Sequence, residues 1–206
     1  MTFENPKGTW DERFSRPGYL FGTRPNIFVS RESWRIPRGS RVLCVADGEG
    51  RNSAFLAGLG HQVDAFDLSP VAVAKAKRLA SRLGVKVNHS VGDLLDAPWQ
   101  GQFDAVVAVF IQFLAPDQRE IAFASMKSAV APGGLFMVQG YRPEQVRYGT
   151  GGPPRSDHMY TRPWLEATFA GWKTEFFAVY DMMLSEGTAH EGLSALIDLV
   201  ARAPSP

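Results

Sequence analysis

The chain has 206 residues, 45% of them hydrophobic and 21% charged, with a net charge of +1. That length supports one sizeable core, and the near-neutral charge argues against nucleic-acid partners, whose binding leans on many Lys and Arg contacts. One cysteine, Cys44, excludes an internal disulfide and a cysteine-based metal site, and the four histidines have no ligand spacing, so no metal is expected.

Residues 1–40 read as a helical segment preceding a sheet core over residues 41–206, the whole forming a single domain. Thr9 is placed to cap a short helix, Trp10 to Phe14. Pro25 marks the start of a second helix, with Ile27, Phe28 and Trp34 as its apolar positions and Pro37 as its stop. Arg41 to Ala46 then reads as a strand, followed by a glycine turn and a helix from Arg51 to Leu59 closed by Gly60. Gln62 to Asp67 is the next strand, and Ser69-Pro70 caps and opens a helix running to Leu83. Strands follow at Val85 to Ser90 and Phe103 to Phe110, the latter a near-continuous apolar run of the kind buried on both faces. A helix spans Pro116 to Val130, and Pro132-Gly133-Gly134 turns into a strand, Leu135 to Gln139. Thr161-Arg162-Pro163 opens a helix to Phe169. Trp172 to Met183 is a strand, and Ala189 to Val200 holds another, although its periodicity alone also suits a helix.

Alternation of this kind predicts a doubly wound, mostly parallel α/β sheet with helices on both faces. Ligands in such sheets bind beyond the carboxyl ends of the strands, near the point where strand order reverses. The glycine turn Asp47-Gly48-Glu49-Gly50-Arg51-Asn52 lies at such an end, as do Asp67, Asp93 and Val109 to Gln112. The turn lets backbone approach a nucleotide-like ligand, but it carries two acids. Like charges about 4 Å apart repel by about 4 kcal/mol near a protein surface, so a pyrophosphate is disfavoured and a cationic nucleoside is favoured. S-adenosylmethionine, with a sulfonium, an ammonium and no phosphate, has that character. Asp67 can accept from both ribose hydroxyls, since Ser69 already supplies the helix cap. Asp93 can accept from an adenine amine while the next backbone amide, at Leu94, meets a ring nitrogen.

These pieces, with Ala131-Pro132-Gly133-Gly134 before the fifth strand, resemble class I S-adenosylmethionine-dependent methyltransferases over almost the whole chain. The Gly50-Arg51-Asn52 ending, with Trp10-Asp11 upstream, looks most like the small tellurite-resistance and thiopurine-type group. The resemblance implies a seven-stranded sheet with an antiparallel last strand. It also implies donor contacts from Asp47, Gly48, Gly50, Asn52, Asp67, Leu68, Asp93, Leu94 and Val109. The chain departs from the pattern where Cys44 replaces an acid and Ala46 replaces a glycine; Asp47 or Glu49 would then supply the charge facing the methionine amino group.

In the resembled group the N-terminal segment closes over the donor, which brings Trp10, Phe14, Tyr19 and Phe21 to the site, with Tyr19 the expected contact through cation–π attraction. On the acceptor side stand Phe110, Gln112, Tyr141 and Tyr148, with Tyr148 to Asp157 as a rim loop. Arg142, Arg147, Arg155, His158 and Arg162 read either as an anion site or as a solvated rim, and His158 and His190 either as bases or as structural residues. Transfer from a sulfonium depends mainly on alignment and needs no base when the acceptor has a free lone pair.

The reading is a small-molecule methyltransferase acting on a thiol, a chalcogen oxyanion or a similar acceptor. Alternatives are a nicotinamide-dependent oxidoreductase, for which Gly48-x-Gly50-x-x-Ser53 is a near miss, and a non-catalytic donor-binding module. A polar Met1 to Trp10 and an apolar run, Ala105 to Ile111, too short to span a bilayer point to a cytoplasmic protein with no membrane partner, as monomer or homodimer.

Overall fold

The computed structural model describes residues 5–96 and 102–205. Its centre is a seven-stranded sheet of order β3-β2-β1-β4-β5-β7-β6. The strands are β1 (Arg41–Val45), β2 (Gln62–Asp67), β3 (Asn88–Val91), β4 (Phe103–Val109), β5 (Val130–Tyr141), β6 (Lys173–Glu186) and β7 (His190–Arg202). The first five run parallel, while β7 pairs antiparallel with both β5 and β6. The order reverses between β1 and β4, which places a crevice at their carboxyl ends.

Helices are α1 (Pro6–Phe14), α2 (Ile27–Glu32), α3 (Arg51–Gly58), α4 (Pro70–Arg82), α5 (Pro116–Ser128), α6 (Gln145–Tyr148) and α7 (Arg162–Thr168). On one face Phe28, Val29 and Leu56 of α2 and α3 pack with Val42, Cys44, Val107 and Met137. On the other, Phe123 and Met126 of α5 and Leu165 of α7 pack with Leu43, Val106, Phe136 and Val138. The central strands are therefore covered on both sides, which is why β4 reads as a near-continuous apolar run. Ser69 accepts from the Ala72 N–H at 3.2 Å and Thr161 caps α7 through Trp164, with Pro70 and Pro163 in the first turns, as the sequence predicts.

Several boundaries differ from expectation. Asn5, not Thr9, caps α1: its side chain takes the Gly8 N–H at 2.9 Å and Pro6 opens the helix. Trp34 is 72% exposed and stacks with Arg35, so it is not a core position. β3 begins three residues later than predicted, because Val85 and its neighbours form the exit from α4. Pro132-Gly133-Gly134 lies inside β5, not before it: Gly134 passes so close to the Asp104 carbonyl that a Cβ would sit 2.9 Å from it, and the β4–β5 register shifts there. The ambiguous stretch after Ala189 is a 13-residue strand, and its helix-like burial arises because β7 is flanked on both edges and covered from both sides.

Candidate functional site

The carboxyl ends of β1, β2, β4 and β5 open into a cavity of about 440 Å³, within the range that holds drug-sized ligands. Asp47, Gly48, Asn52, Asp67, Leu68, Asp93, Leu94, Val109, Phe110, Gln112 and Tyr141 all line it. The fold thus brings together most of the residues that the sequence singled out.

Asp67 ends β2 with 7% exposure. It accepts the Gly48 N–H at 2.9 Å and the Ser69 N–H at 2.9 Å. Each oxygen keeps a further lone-pair site, enough for two hydroxyl donors. Burial raises its pKa to about 6, with Asp11 and Glu49 adding to the rise. Asp47 accepts from the Ser53 hydroxyl and, at 3.4 Å, from the Ser53 N–H. Burial raises Asp47 to about 7, against the lowering effect of Ser53 and with Asp67 pushing it further up. Two such carboxyls facing one cavity gain from a cationic ligand and repel a phosphate. Asp93 binds its own turn through the Leu95 N–H at 2.9 Å, and its second oxygen takes no hydrogen bond from the described residues.

Other expected residues act elsewhere. Gly50 does not line the cavity: it caps α3 in the left-handed region, φ 89°, and a Cβ there would lie 2.7 Å from that of Ala76. Its role is to let the turn pack on α4. Glu49 faces away, with its carboxylate taking the Leu20 N–H at 2.6 Å and Lys75 Nζ at 2.8 Å. Tyr19 is outside the cavity, its hydroxyl donating to the Lys75 carbonyl at 3.3 Å and its ring 5.4 Å from Arg82. A turn closed by the Gly22 N–H on the Tyr19 carbonyl lies here, and Phe21 reaches the cavity in place of Tyr19, beside Trp10 and Phe14 of α1. Tyr148 is likewise outside, donating to Asp181 at 2.9 Å. Arg142, Arg155 and Arg162 pair with Asp181, Asp157 and Glu166, which makes them a rim and not an anion site. His158 is buried behind Gln112. Cys44 is buried in the sheet, where desolvation lifts its thiol well above the ordinary range.

Sequence reasoning missed Arg13, Arg51 and Phe113 and left His190 undecided; the expected rim loop, Tyr148 to Asp157, contributes Gly151 to Pro154 to the wall. All of them line the cavity. Arg51 pairs with Glu186 at 2.7 Å, whereas Arg13 lies 4.5 Å over the Trp10 ring. Glycines are required at 151 and 152 because a Cβ on either would come within 2.8 Å of Tyr141. The turn signal of the Gly-Gly-Pro-Pro run was legible, but not what it packs on. Among the described residues no group of three or more His, Cys, Asp or Glu is arranged to hold a metal, and no helix is long and apolar enough to cross a membrane.

Residues 42–134 match the methyltransferase domain family. A 104-residue stretch is 39% identical to the ubiquinone biosynthesis O-methyltransferase of Xanthomonas axonopodis pv. citri, covering 50% of this chain and 43% of that protein. The matched stretch therefore spans less than half of that relative. By fold, the chain is similar to the N-methyltransferase NodS of Bradyrhizobium japonicum WM9 in complex with S-adenosyl-L-homocysteine (TM-score 0.75, 16% identity, covering 98% of this chain and 100% of the other). It is also similar to TehB from Haemophilus influenzae (TM-score 0.71, 18% identity, covering 85% and 61%). Residues 42–134 are thus a methyltransferase domain, set in the fold of the class I S-adenosylmethionine-dependent methyltransferases.

Proposed function

We propose that the protein transfers a methyl group from S-adenosylmethionine to a small, largely apolar acceptor. The observation that carries this reading is a single cavity with two unlike ends. At one end Asp67, Asp93 and the Gly48 turn offer acceptors and open backbone; at the other Phe21, Phe110 and Tyr141 offer ring faces. The bound donor supplies an electrophilic methyl group on a sulfonium sulfur.

Asp67 is assigned to the ribose hydroxyls. Asp93 and the Leu94 N–H are assigned to adenine, with Leu68 and Val109 as apolar contacts. Asp47 is assigned to the positive end of the methionine moiety, the task that Cys44 cannot perform from inside the sheet. Trp10, Phe14 and Phe21 roof the donor, and a ring beside a sulfonium contributes roughly 0.5–2 kcal/mol of cation–π attraction. Residues 6–35 serve as the lid, which Asp11 holds down by accepting from the Ser69 hydroxyl. The acceptor's lone pair forms a bond to the methyl carbon as the carbon–sulfur bond breaks and leaves its electron pair on sulfur. An acceptor proton passes to water. These residues align the reactants and exclude solvent, which is where most of the rate in such a displacement arises.

Calorimetry discriminates between the readings. S-adenosylhomocysteine is expected to bind at micromolar levels or better and to raise the melting temperature by ligand linkage. Absence of heat with that ligand, alongside clear binding of a nicotinamide dinucleotide, would overturn the assignment. Donor binding without turnover on any phenol, thiol or amine would favour the non-catalytic module.

A further inference from the structure

His190 opens β7 at the cavity wall and is 7% exposed. Its ring lies between Phe21 and Phe110, with centroids at 4.5 and 4.4 Å, and is edge-on to Tyr141 at 5.8 Å. It makes no hydrogen bond to any described residue. Nδ1 is buried without a partner, so Nε2 is the nitrogen turned to the cavity. Nε2 therefore offers the cavity a hydrogen-bonding nitrogen that no described residue uses.

The surrounding backbone supports this. Phe110 adopts φ +55°, a conformation that strains a bulky residue, and such strain gathers at ligand clamps. It sets the Phe110 ring 4.6 Å from Tyr141 and against His190. Gln112 cannot replace His190 as the polar contact, because its amide is already spent on the Tyr141 backbone, donating at 2.8 Å and accepting at 2.6 Å. Nor is Arg51 free, since Glu186 neutralises it. Burial, with Arg51 and Arg13 nearby, holds His190 down to about 3, so the ring is neutral at physiological pH.

We propose that His190 is the specificity-determining residue for the acceptor, and that the acceptor is an uncharged molecule with a flat or apolar body and one hydroxyl or thiol, read by a hydrogen bond to Nε2 inside the box of Phe21, Phe110 and Tyr141. This rests on the methyltransferase reading. Either neutral tautomer presents one hydrogen-bonding function to such a group. A carboxylate or oxyanion would instead have to shed its water among these rings, which is costly, and Arg51 is already neutralised by Glu186, leaving Arg13 to meet it.

The test is binding to the protein saturated with S-adenosylhomocysteine, using p-cresol, toluene and 4-methylbenzoate as probes. p-Cresol is expected to bind about tenfold or more tightly than toluene, the range of one satisfied hydrogen bond. It should also shift the imidazole resonances of His190. In His190→Phe, which keeps a ring in the aromatic box, the preference for p-cresol should disappear while S-adenosylhomocysteine still binds. His190→Gln should restore part of the preference. Persistence of the preference in His190→Phe, no binding of p-cresol to the parent, or tighter binding of 4-methylbenzoate, which would place recognition on Arg13, overturns the proposal. Failure of S-adenosylhomocysteine itself to bind overturns the methyltransferase reading instead.

Discussion

Asp67 and Asp93 face the same cavity but are anchored differently. Asp67 already takes two backbone N–H groups and is buried; Asp93 takes one and is half-exposed. Asp67→Ala should cost about 1.5–3 kcal/mol of donor affinity, the range for a hydrogen bond to a charged group. Asp93→Asn should cost less, because an amide oxygen still accepts. Titration with S-adenosylhomocysteine separates them, and parent-like affinity in Asp67→Ala would remove the ribose assignment. Asp47 adds a pH signature. In the unfolded chain it ionises near pH 4, as aspartates do; in the fold it resists ionisation until about 7. It therefore favours the fold below about pH 4, and that contribution is lost as the pH rises through about 7. Asp47→Asn should gain melting temperature relative to the parent as the pH rises from 5 to 8. Binding has the opposite sign: a cationic donor needs the charged carboxylate, so its affinity should rise over the same interval in the parent and flatten in Asp47→Asn. Parallel pH profiles for the two proteins would show that Asp47 does not face the donor.

At the scale of elements, one buried network joins the lid to the sheet. The Asn26 N–H donates to Asn52 at 2.9 Å, and its side chain donates to Gln139 at 2.7 Å and to Glu186 at 3.2 Å. Glu186 also takes the Ile27 N–H at 3.0 Å and Arg51 at 2.7 Å. Glu186→Ala leaves the buried Arg51 guanidinium without its counter-charge, a loss in the range of 3–5 kcal/mol for broken buried pairs. Amide exchange over residues 26–32 should quicken in this variant far more than exchange in β1 and β4; uniform quickening would mean global destabilisation and no separate lid anchor. None of this network was legible in the sequence, since its members come from α2, α3, β5 and β6 and meet only through the strand order. What was legible is local: the Ser69 and Thr161 caps, the apolar run of β4 and the glycine turn, each a short-range pattern with its own physical cause. Tyr19 was misplaced because aromatic type and proximity in sequence do not reveal where a loop turns back. β7 was ambiguous because a strand flanked on both edges and packed on both faces loses the alternation that marks half-buried strands.

For the molecule as a whole, the lid and the turn share their charges. Glu49 lies in the donor turn yet holds Leu20 and, through Lys75, the Arg16 and Gly18 carbonyls at 2.8 and 2.7 Å. The loop between α1 and α2 is thus fastened to the same backbone that cradles the donor. A ligand seated under Phe14 and Phe21 should therefore suppress opening of this loop by the linkage that ties ligand affinity to local stability. Tyr19 and Phe21 are partly exposed and offer chymotrypsin two sites on it. Saturating S-adenosylhomocysteine should slow cleavage at both by about tenfold or more, which corresponds to about 1.4 kcal/mol of added local stability. Glu49→Gln should speed cleavage of the free protein, because a neutral amide holds Lys75 less firmly, while leaving a smaller protection by ligand. Equal cleavage with and without ligand would separate the loop from the donor site and leave α1 alone as the roof.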